Sequence, residues 1–211
     1  MFDIDGTLIE SYQFDGQCYQ DAVFEILGQK INPDWSSYPH VTDTGILDHH
    51  LLKMGLQVER EEILRLVKLA FIYKVEAYLR ITPVKQIAGA GELINNLRDN
   101  PQVSLSIATG GWLETALLKL HCAGIAVTDI PLASADDHFS RTEIMKLALQ
   151  KTEIEIESPC TYFGDALWDR QACEALAISF VLVGDRIEHR QNMADLVDIQ
   201  KAYKLIGIEN S

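Results

Sequence analysis

Two rhythms of apolar and polar positions alternate along the chain. Short runs rich in β-branched residues stop abruptly at Gly or Asp: "VSLSIATGG", "DIPLASADD", "CTYFGD" and "SFVLVGD". Runs of this length, bounded by turn residues, predict buried strands, the first of these over 103–108. Between them the spacing is helical. Leu93, Ile94 and Leu97 form one stripe, which stops at Asn100 and Pro101; Leu113, Ala116, Leu117 and Leu120 form another, closed by Gly124. Strands alternating with amphipathic helices predict an α/β fold, a Rossmann-like parallel sheet with helices on both faces. Ligands of such sheets bind beyond the carboxyl ends of the strands.

Residues 14–83 break the alternation. Tyr19, Ala22, Val23, Ile26 and Leu27 share one helical stripe, and Ile63, Leu66, Val67, Ala70 and Phe71 share another. No convincing strand lies among them. The expected division is a core of residues 1–13 and 84–211, with an all-helical subdomain of residues 14–83 inserted after the first strand. Internal repeats and low-complexity linkers are not visible. The first strand is short, since only Met1 and Phe2 precede Asp3, against about 5–6 residues in a typical strand. The expectation is that the native chain begins a few residues upstream.

Composition narrows the function. With 211 residues the chain can hold one domain with a sizeable core and a smaller subdomain, and its 47% hydrophobic and 23% charged residues are ordinary for a globular protein. A formal net charge of −13 repels nucleic acid and anionic membranes. It still permits a small anionic substrate, because a bound cation and a few basic groups make one pocket positive. Cys18, Cys122, Cys160 and Cys173 form no C-x-x-C pair and are expected as reduced thiols. No leader-like or membrane-spanning run is seen, which makes the cytoplasm the expected location.

Four stretches at predicted strand ends carry the chemistry. In "DIDGT", Asp3 and Asp5 are two apart, so an extended backbone points both to one side. Crowded carboxylates repel unless a cation or a proton lies between them. Gly6 lets the chain leave the strand sharply, and Thr7 suits a turn. In "SIATGG", the Thr109 hydroxyl, the amides at Gly110 and Gly111 and the following helix start form an anion site. In "FSRTEIMKLAL", Ser140 and Glu143 match a capping box, which puts Arg141 at the first helical position, able to grip phosphate with paired donors. In "YFGDALWDRQA", Asp165 ends a strand and Asp169 follows one turn later on the same helical face. Each stretch alone reads as an ordinary turn or cap; four at successive strand ends point to a site. Asp3, Asp5 and Asp165 are hard oxygen donors suited to Mg²⁺. Thr109, nearby amides and Arg141 suit a phosphoryl group, with one aspartate as nucleophile and the other as acid and base.

The motifs D-x-D-G-T, hydrophobic-x-T-G, a basic residue at a helix start and G-D-x-x-x-D resemble those of the haloacid dehalogenase superfamily. The resemblance is to its Mg²⁺-dependent phosphatases of the phosphoglycolate phosphatase-like type, and it covers nearly the whole chain. It implies that Asp3 is the nucleophile and Asp5 the general acid and base, with Asp5 contributing to the Mg²⁺ site mainly through backbone carbonyl. Thr109 with Gly110 would orient the phosphoryl group, Asp165 would ligate the metal, and Asp169 would complete its surroundings. The helical insert resembles a mobile cap. The third motif more often presents Lys, and here Arg141 stands in its place, with Lys146 the weaker candidate. Carbon–halogen cleavage is not expected, because members with that activity lack the acid represented by Asp5.

The resulting expectation is hydrolysis of a small-molecule phosphate ester through an aspartyl-phosphate. A sugar phosphomutase and a catalytically silent phosphate-binding protein are the alternatives. A receiver-type signalling domain would have adjacent acids and no helical insert. The six histidines show no ligand pattern, and Trp112 and Trp168 are expected to pack on the core. In "YPHVTDTGIL", Thr42 or Asp43 can cap a helix beginning near Gly45. Its position in the insert makes His40, Thr42 and Asp43 candidates for choosing the leaving group, with the helix start and His40 suited to a second anionic or polar group.

Overall fold

The computed structural model of the chain describes residues 1–152 and 158–208. Eight α-helices are found among them: α1 (Tyr12–Leu27), α2 (Asp43–Met54), α3 (Arg60–Ile81), α4 (Ala90–Arg98), α5 (Leu113–Cys122), α6 (Arg141–Gln150), α7 (Leu167–Leu176) and α8 (Ile199–Leu205). The strands are β1 (Ile107–Ala108), β2 (Leu132–Ala133), β3 (Thr161–Gly164), β4 (Ser179–Val183) and β5 (Asn192–Met193), and they pair in parallel.

The opening residues join two small sheets. β1 pairs with β2, and β3, β4 and β5 pair in that order. Phe2 bridges in parallel to Ile107 on one side and to Phe163 on the other. Its N–H donates to Ser106 O at 3.0 Å and its carbonyl accepts from Ala108 N at 2.9 Å. On the opposite edge Asp3 N donates to Phe163 O, and Phe163 N to Met1 O, each at 2.9 Å. The lateral order is therefore β2, β1, the N-terminal segment, β3, β4, β5. The chain places its first acid at the centre of the sheet.

Side-chain alternation with period two sorts the two faces. Phe2, Ile107, Phe163, Val181 and Val183 point to one face and pack against Leu93, Ile94 and Leu97 of α4 and Leu120 of α5. Met1, Ala108, Tyr162, Phe180 and Leu182 point to the other, against Ile144, Met145 and Ala148 of α6 and Cys173 of α7. These are the helices on both faces that the sequence predicts. The strand expected over 103–108 contracts to Ile107–Ala108, because its partners Phe2 and Leu132 give it only that length to pair with. The capping box expected at Ser140 and Glu143 does not form. Ser140 stands at the helix start, but its hydroxyl meets Thr142 Oγ1 at 2.9 Å.

Helices α1, α2 and α3 build a third cluster around Tyr19, Val23, Leu47, Val67 and Phe71. Trp112, from the loop after β1, is fully buried in it and donates from Nε1 to Thr44 Oγ1 at 2.8 Å. Thr44 Oγ1 in turn donates to Ala135 O at 2.8 Å. Lys68 of α3 pairs with Glu114 of α5 at 2.7 Å. The helical block is thus fastened to the sheet at the ends of β1 and β2. All four cysteines are free thiols. No described helix is long and apolar enough to cross a membrane.

Phe2 is 1% exposed and stacks on Phe163 with ring centroids 4.7 Å apart. Truncating it removes apolar contact at the seam between the two halves of the sheet. Phe2→Ala is expected to destabilise the fold by about 3–5 kcal/mol, measured by urea unfolding. A loss below about 1 kcal/mol, the scale of a surface change, would show that the seam does not carry the sheet.

Candidate active site

The carboxyl ends of the N-terminal segment, β1 and β3 converge on one cleft. Gly6 makes the first turn possible. Its φ is +84°, and a Cβ there would lie 2.2 Å from Asp165 Oδ2. The turn after "DIDGT" therefore lets Asp165 come in beside Asp3. Asp3, Asp165 and Asp169 are all buried, and each offers an oxygen within 4.8 Å of the others. Asp169 is fixed at the start of α7 by accepting from Ala166 N at 3.1 Å.

Cations hold this cluster together. Arg141 donates from Nη1 to Asp169 Oδ1 at 2.8 Å and reaches Asp3 Oδ1 at 3.5 Å, while Nη2 donates to Val41 O at 3.2 Å. A Cβ on Gly110 would lie 2.5 Å from Arg141 Nη2, so only glycine lets the guanidinium pass. Arg186 pairs with Asp165 and lies over the Tyr12 ring, 3.6 Å from its centroid. Burial and the charge of Asp169 hold the Asp3 carboxyl well above its usual range, against the pull of Arg141. Burial, reinforced by Asp169 and opposed by Arg186, raises Asp165 to about 7.

Asp5 takes a different course. Its Oδ1 accepts from Lys119 Nζ at 2.6 Å and from the Ser11 hydroxyl. The same Lys119 Nζ donates to Asp15 Oδ1 at 2.6 Å. Lys119 is wholly buried, and burial works against its charge; Asp15 and Asp5 outweigh this and raise its pKa. Burial lifts Asp15 to about 6 even with Lys119 opposing it. Asp5 Oδ2 is left toward the cleft: a Cβ on Gly111 would sit 3.6 Å from Thr109 Oγ1, 3.7 Å from Asp5 Oδ2 and 3.8 Å from Asp43 Oδ2.

The helix-start amides expected to receive an anion are largely taken. Gly111 N donates to Thr109 Oγ1 at 3.1 Å, Trp112 N to Asp43 Oδ2 at 2.8 Å and Leu113 N to Asp136 Oδ2 at 2.8 Å. The N–H groups of Ile4, Asp5 and Gly110 donate to no group among the described residues.

The chain-wide comparison with protein families matches residues 1–176 to the haloacid dehalogenase-like hydrolase model. The chain belongs to that family. Solved structures share the hydrolase's fold. A hydrolase from Pseudomonas syringae superposes with a TM-score of 0.73 at 19% identity, covering 96% of each chain. CbbY from Rhodobacter sphaeroides, solved in complex with phosphate, gives 0.69 at 17% identity and 94% of each chain. A β-phosphoglucomutase from Clostridium difficile gives 0.71 at 16% identity, covering 97% of this chain and 95% of the other. No curated protein matches the chain by sequence.

Of the residues that the sequence nominates in this hydrolase, Asp3, Asp5, Thr109, Gly110, Arg141, Thr42, Asp43 and Asp165 line one cleft, with Asp169 directly behind. The Asp5 side chain is not in the three-carboxylate cluster, because Lys119 and Ser11 draw it away. His40 lies in the adjoining cleft with Ser140 and Gln171, its ring edge-on to Phe139 at 5.0 Å. The Thr42 hydroxyl is committed, capping α2 through Gly45 N at 3.0 Å and donating to Phe139 O at 2.6 Å. Lys146 pairs with Glu143 on the surface, away from the cleft. Trp112 packs as expected, whereas Trp168 lines the cleft.

Sequence reasoning missed Lys119, Asp15, Ser11 and Arg186. In α5 the buried face is Thr115, Ala116, Lys119 and Leu120, while Leu113 and Leu117 are exposed. A lysine three residues after Ala116, on an otherwise apolar face, was the available signal. Lys119→Met is expected to destabilise the hydrolase by about 3–5 kcal/mol, because it strands two carboxylates. Adding Asp15→Asn should recover part of that loss, read from melting curves of the single and double variants. A double variant no more stable than Lys119→Met would deny that the charge pairing matters.

Proposed function

We propose that the protein is a Mg²⁺-dependent phosphatase that hydrolyses a small-molecule phosphate monoester through an aspartyl-phosphate on Asp3. The observation that carries this reading is the buried cluster of Asp3, Asp165 and Asp169 with Arg141 reaching across it. An oxygen-only donor set whose carboxyls are raised by burial and, after it, by the charge of Asp169 fits a hard divalent cation. Mg²⁺ held by these three residues, with Asp5 contributing through its backbone, would neutralise charge on the phosphoryl oxygens.

The chain's own groups then divide the work. Arg141, the Thr109 hydroxyl and the free amides of Ile4, Asp5 and Gly110 hold the phosphoryl oxygens. An Asp3 oxygen attacks phosphorus as the bond to the leaving oxygen breaks, and Asp5 Oδ2 gives that oxygen a proton. Asp5 next takes a proton from water, whose oxygen attacks phosphorus and breaks the Asp3–phosphorus bond, releasing inorganic phosphate. Lys119 and Ser11 fix Asp5 Oδ1, which leaves Oδ2 to handle both protons. Residues 14–83 act as the cap that shields the intermediate. A phosphomutase needs a basic group to receive a second phosphate. The only cation among the described residues lining the cleft is Arg141, at the phosphoryl end, which favours the phosphatase.

Turnover of p-nitrophenyl phosphate tests this reading. Activity should need Mg²⁺, vanish in EDTA and return on adding Mg²⁺. Asp3→Asn should lower kcat at least about a thousandfold. Asp5→Asn should slow an alkyl phosphate by about 10²–10⁴-fold and p-nitrophenyl phosphate, with its better leaving group, by less. Full activity in chelator, or an Asp3→Asn enzyme near wild type, would refute the assignment.

A further inference from the structure

One buried acid of the cleft has no part in the proposed chemistry. Asp15 lies in the first turn of α1 and lines the cleft with Asp3 and Asp5. It stands outside the D-x-D-G-T motif, and its side chain is only 16% exposed. Its one side-chain partner among the described residues is Lys119 Nζ, at 2.6 Å.

Lys119 reaches in from α5, wholly buried, with three donors on a flexible stem. Paired with Asp5 alone, its ammonium would be free to sit on either carboxylate oxygen or between the two. Asp15 is a second acceptor, and Nζ is held between the acids, 2.6 Å from one oxygen of each. Ser11 donates its hydroxyl to the same oxygen of Asp5. Ser11 O accepts from Asp15 N at 3.0 Å, so one helical turn carries both supports of Asp5. Asp5 Oδ1 thus receives two donors. A proton on Oδ1 would meet the hydrogens of Lys119 and Ser11. In the acid form of Asp5 the proton therefore lies on Oδ2, the oxygen beside Gly111.

Resting on the phosphatase reading, we propose that Asp15 is a positioning residue: through Lys119 it fixes which oxygen of Asp5 carries the proton given to the leaving group. That proton passes from Asp5 Oδ2 to the leaving oxygen as the bond from that oxygen to phosphorus breaks and its electron pair stays on oxygen. Without the acceptor at Asp15, Nζ turns wholly to Asp5 and engages both of its oxygens, and Oδ2 is no longer reserved for the cleft.

The test compares p-nitrophenyl phosphate with phenyl phosphate on the full chain with Mg²⁺. The two esters are alike in shape, and phenol, the poorer leaving group, depends more on a placed proton. Asp15→Ala is expected to raise the ratio of kcat/KM for p-nitrophenyl phosphate over phenyl phosphate by about tenfold or more, part of the 10²–10⁴-fold that general acid catalysis supplies. Asp15→Asn removes the charge but keeps an oxygen for Nζ, and should leave the ratio close to that of the unaltered chain. Asp15→Glu keeps the charge and moves the acceptor by one methylene; it should raise the ratio and carries the test should Asp15→Ala not fold. A merely structural Asp15 would lower turnover of both esters together, in step with the melting temperature. An unchanged ratio in the folded Ala or Glu variant, or an Asn variant shifted as far as they are, would overturn this proposal and leave the phosphatase reading standing. No turnover of either ester by the unaltered chain would overturn both.

Discussion

Asp3, Asp165 and Asp169 are buried close enough to repel one another, and the guanidinium of Arg141 reaches across two of them. Unpaired carboxylates in such a place would oppose folding. The surrounding architecture supplies positive charge from three elements: Arg141 at the first turn of α6, Arg186 after β4 and Lys119 in α5. Arg141 and Lys119 reach acids of the central segment, Asp3 and Asp5, and Arg186 reaches Asp165 at the end of β3. The same concentration of charge that is hard to fold is what a phosphoryl-transfer site needs.

Asp5 shows how the arrangement separates two neighbouring acids of one type. Asp3 stays at the carboxylate cluster. Asp5 turns to Lys119, which also grips Asp15 in the first helix after the acid turn. One buried ammonium therefore ties the second acid of the motif to the start of the helical block. Trp112 ties that block to the loop bearing Thr109 and Gly110 through its burial and through Asp43 and Thr44. In the proposed scheme this lets the helical block and the two acids hold one geometry while the intermediate forms and is hydrolysed.

The alternation of short apolar runs with amphipathic helices was enough to read the parallel sheet and its two helical layers, because burial on both faces leaves a continuous apolar record. The four acid and glycine stretches were legible because each ends a strand, and strand ends converge in space. What stayed hidden depends on pairing between distant charges. Lys119 reads as a polar interruption of α5 until Asp5 and Asp15 are seen beside it. Arg186 follows β4 with no local pattern to mark it. The Ser140 capping box was a local signal overruled when the hydroxyl found Thr142. The amides after Thr109 read as an anion site, yet Asp43 and Asp136 from elsewhere in the fold occupy two of them. The start of α2 suggested a place for an anionic or polar group, and the assembled cleft adds that acids and aromatic rings line it together with Thr42 and Asp43.

The central claim is that Asp3 carries the phosphoryl group. A single turnover with excess protein, Mg²⁺ and p-nitrophenyl phosphate, quenched in acid within milliseconds, followed by peptide mass spectrometry, tests it most directly. The account predicts a transient phosphoryl adduct on Asp3 that forms with the nitrophenol burst and decays as inorganic phosphate appears. A phosphoryl group on any other residue, or inorganic phosphate released in step with nitrophenol and no adduct at any time, would contradict it.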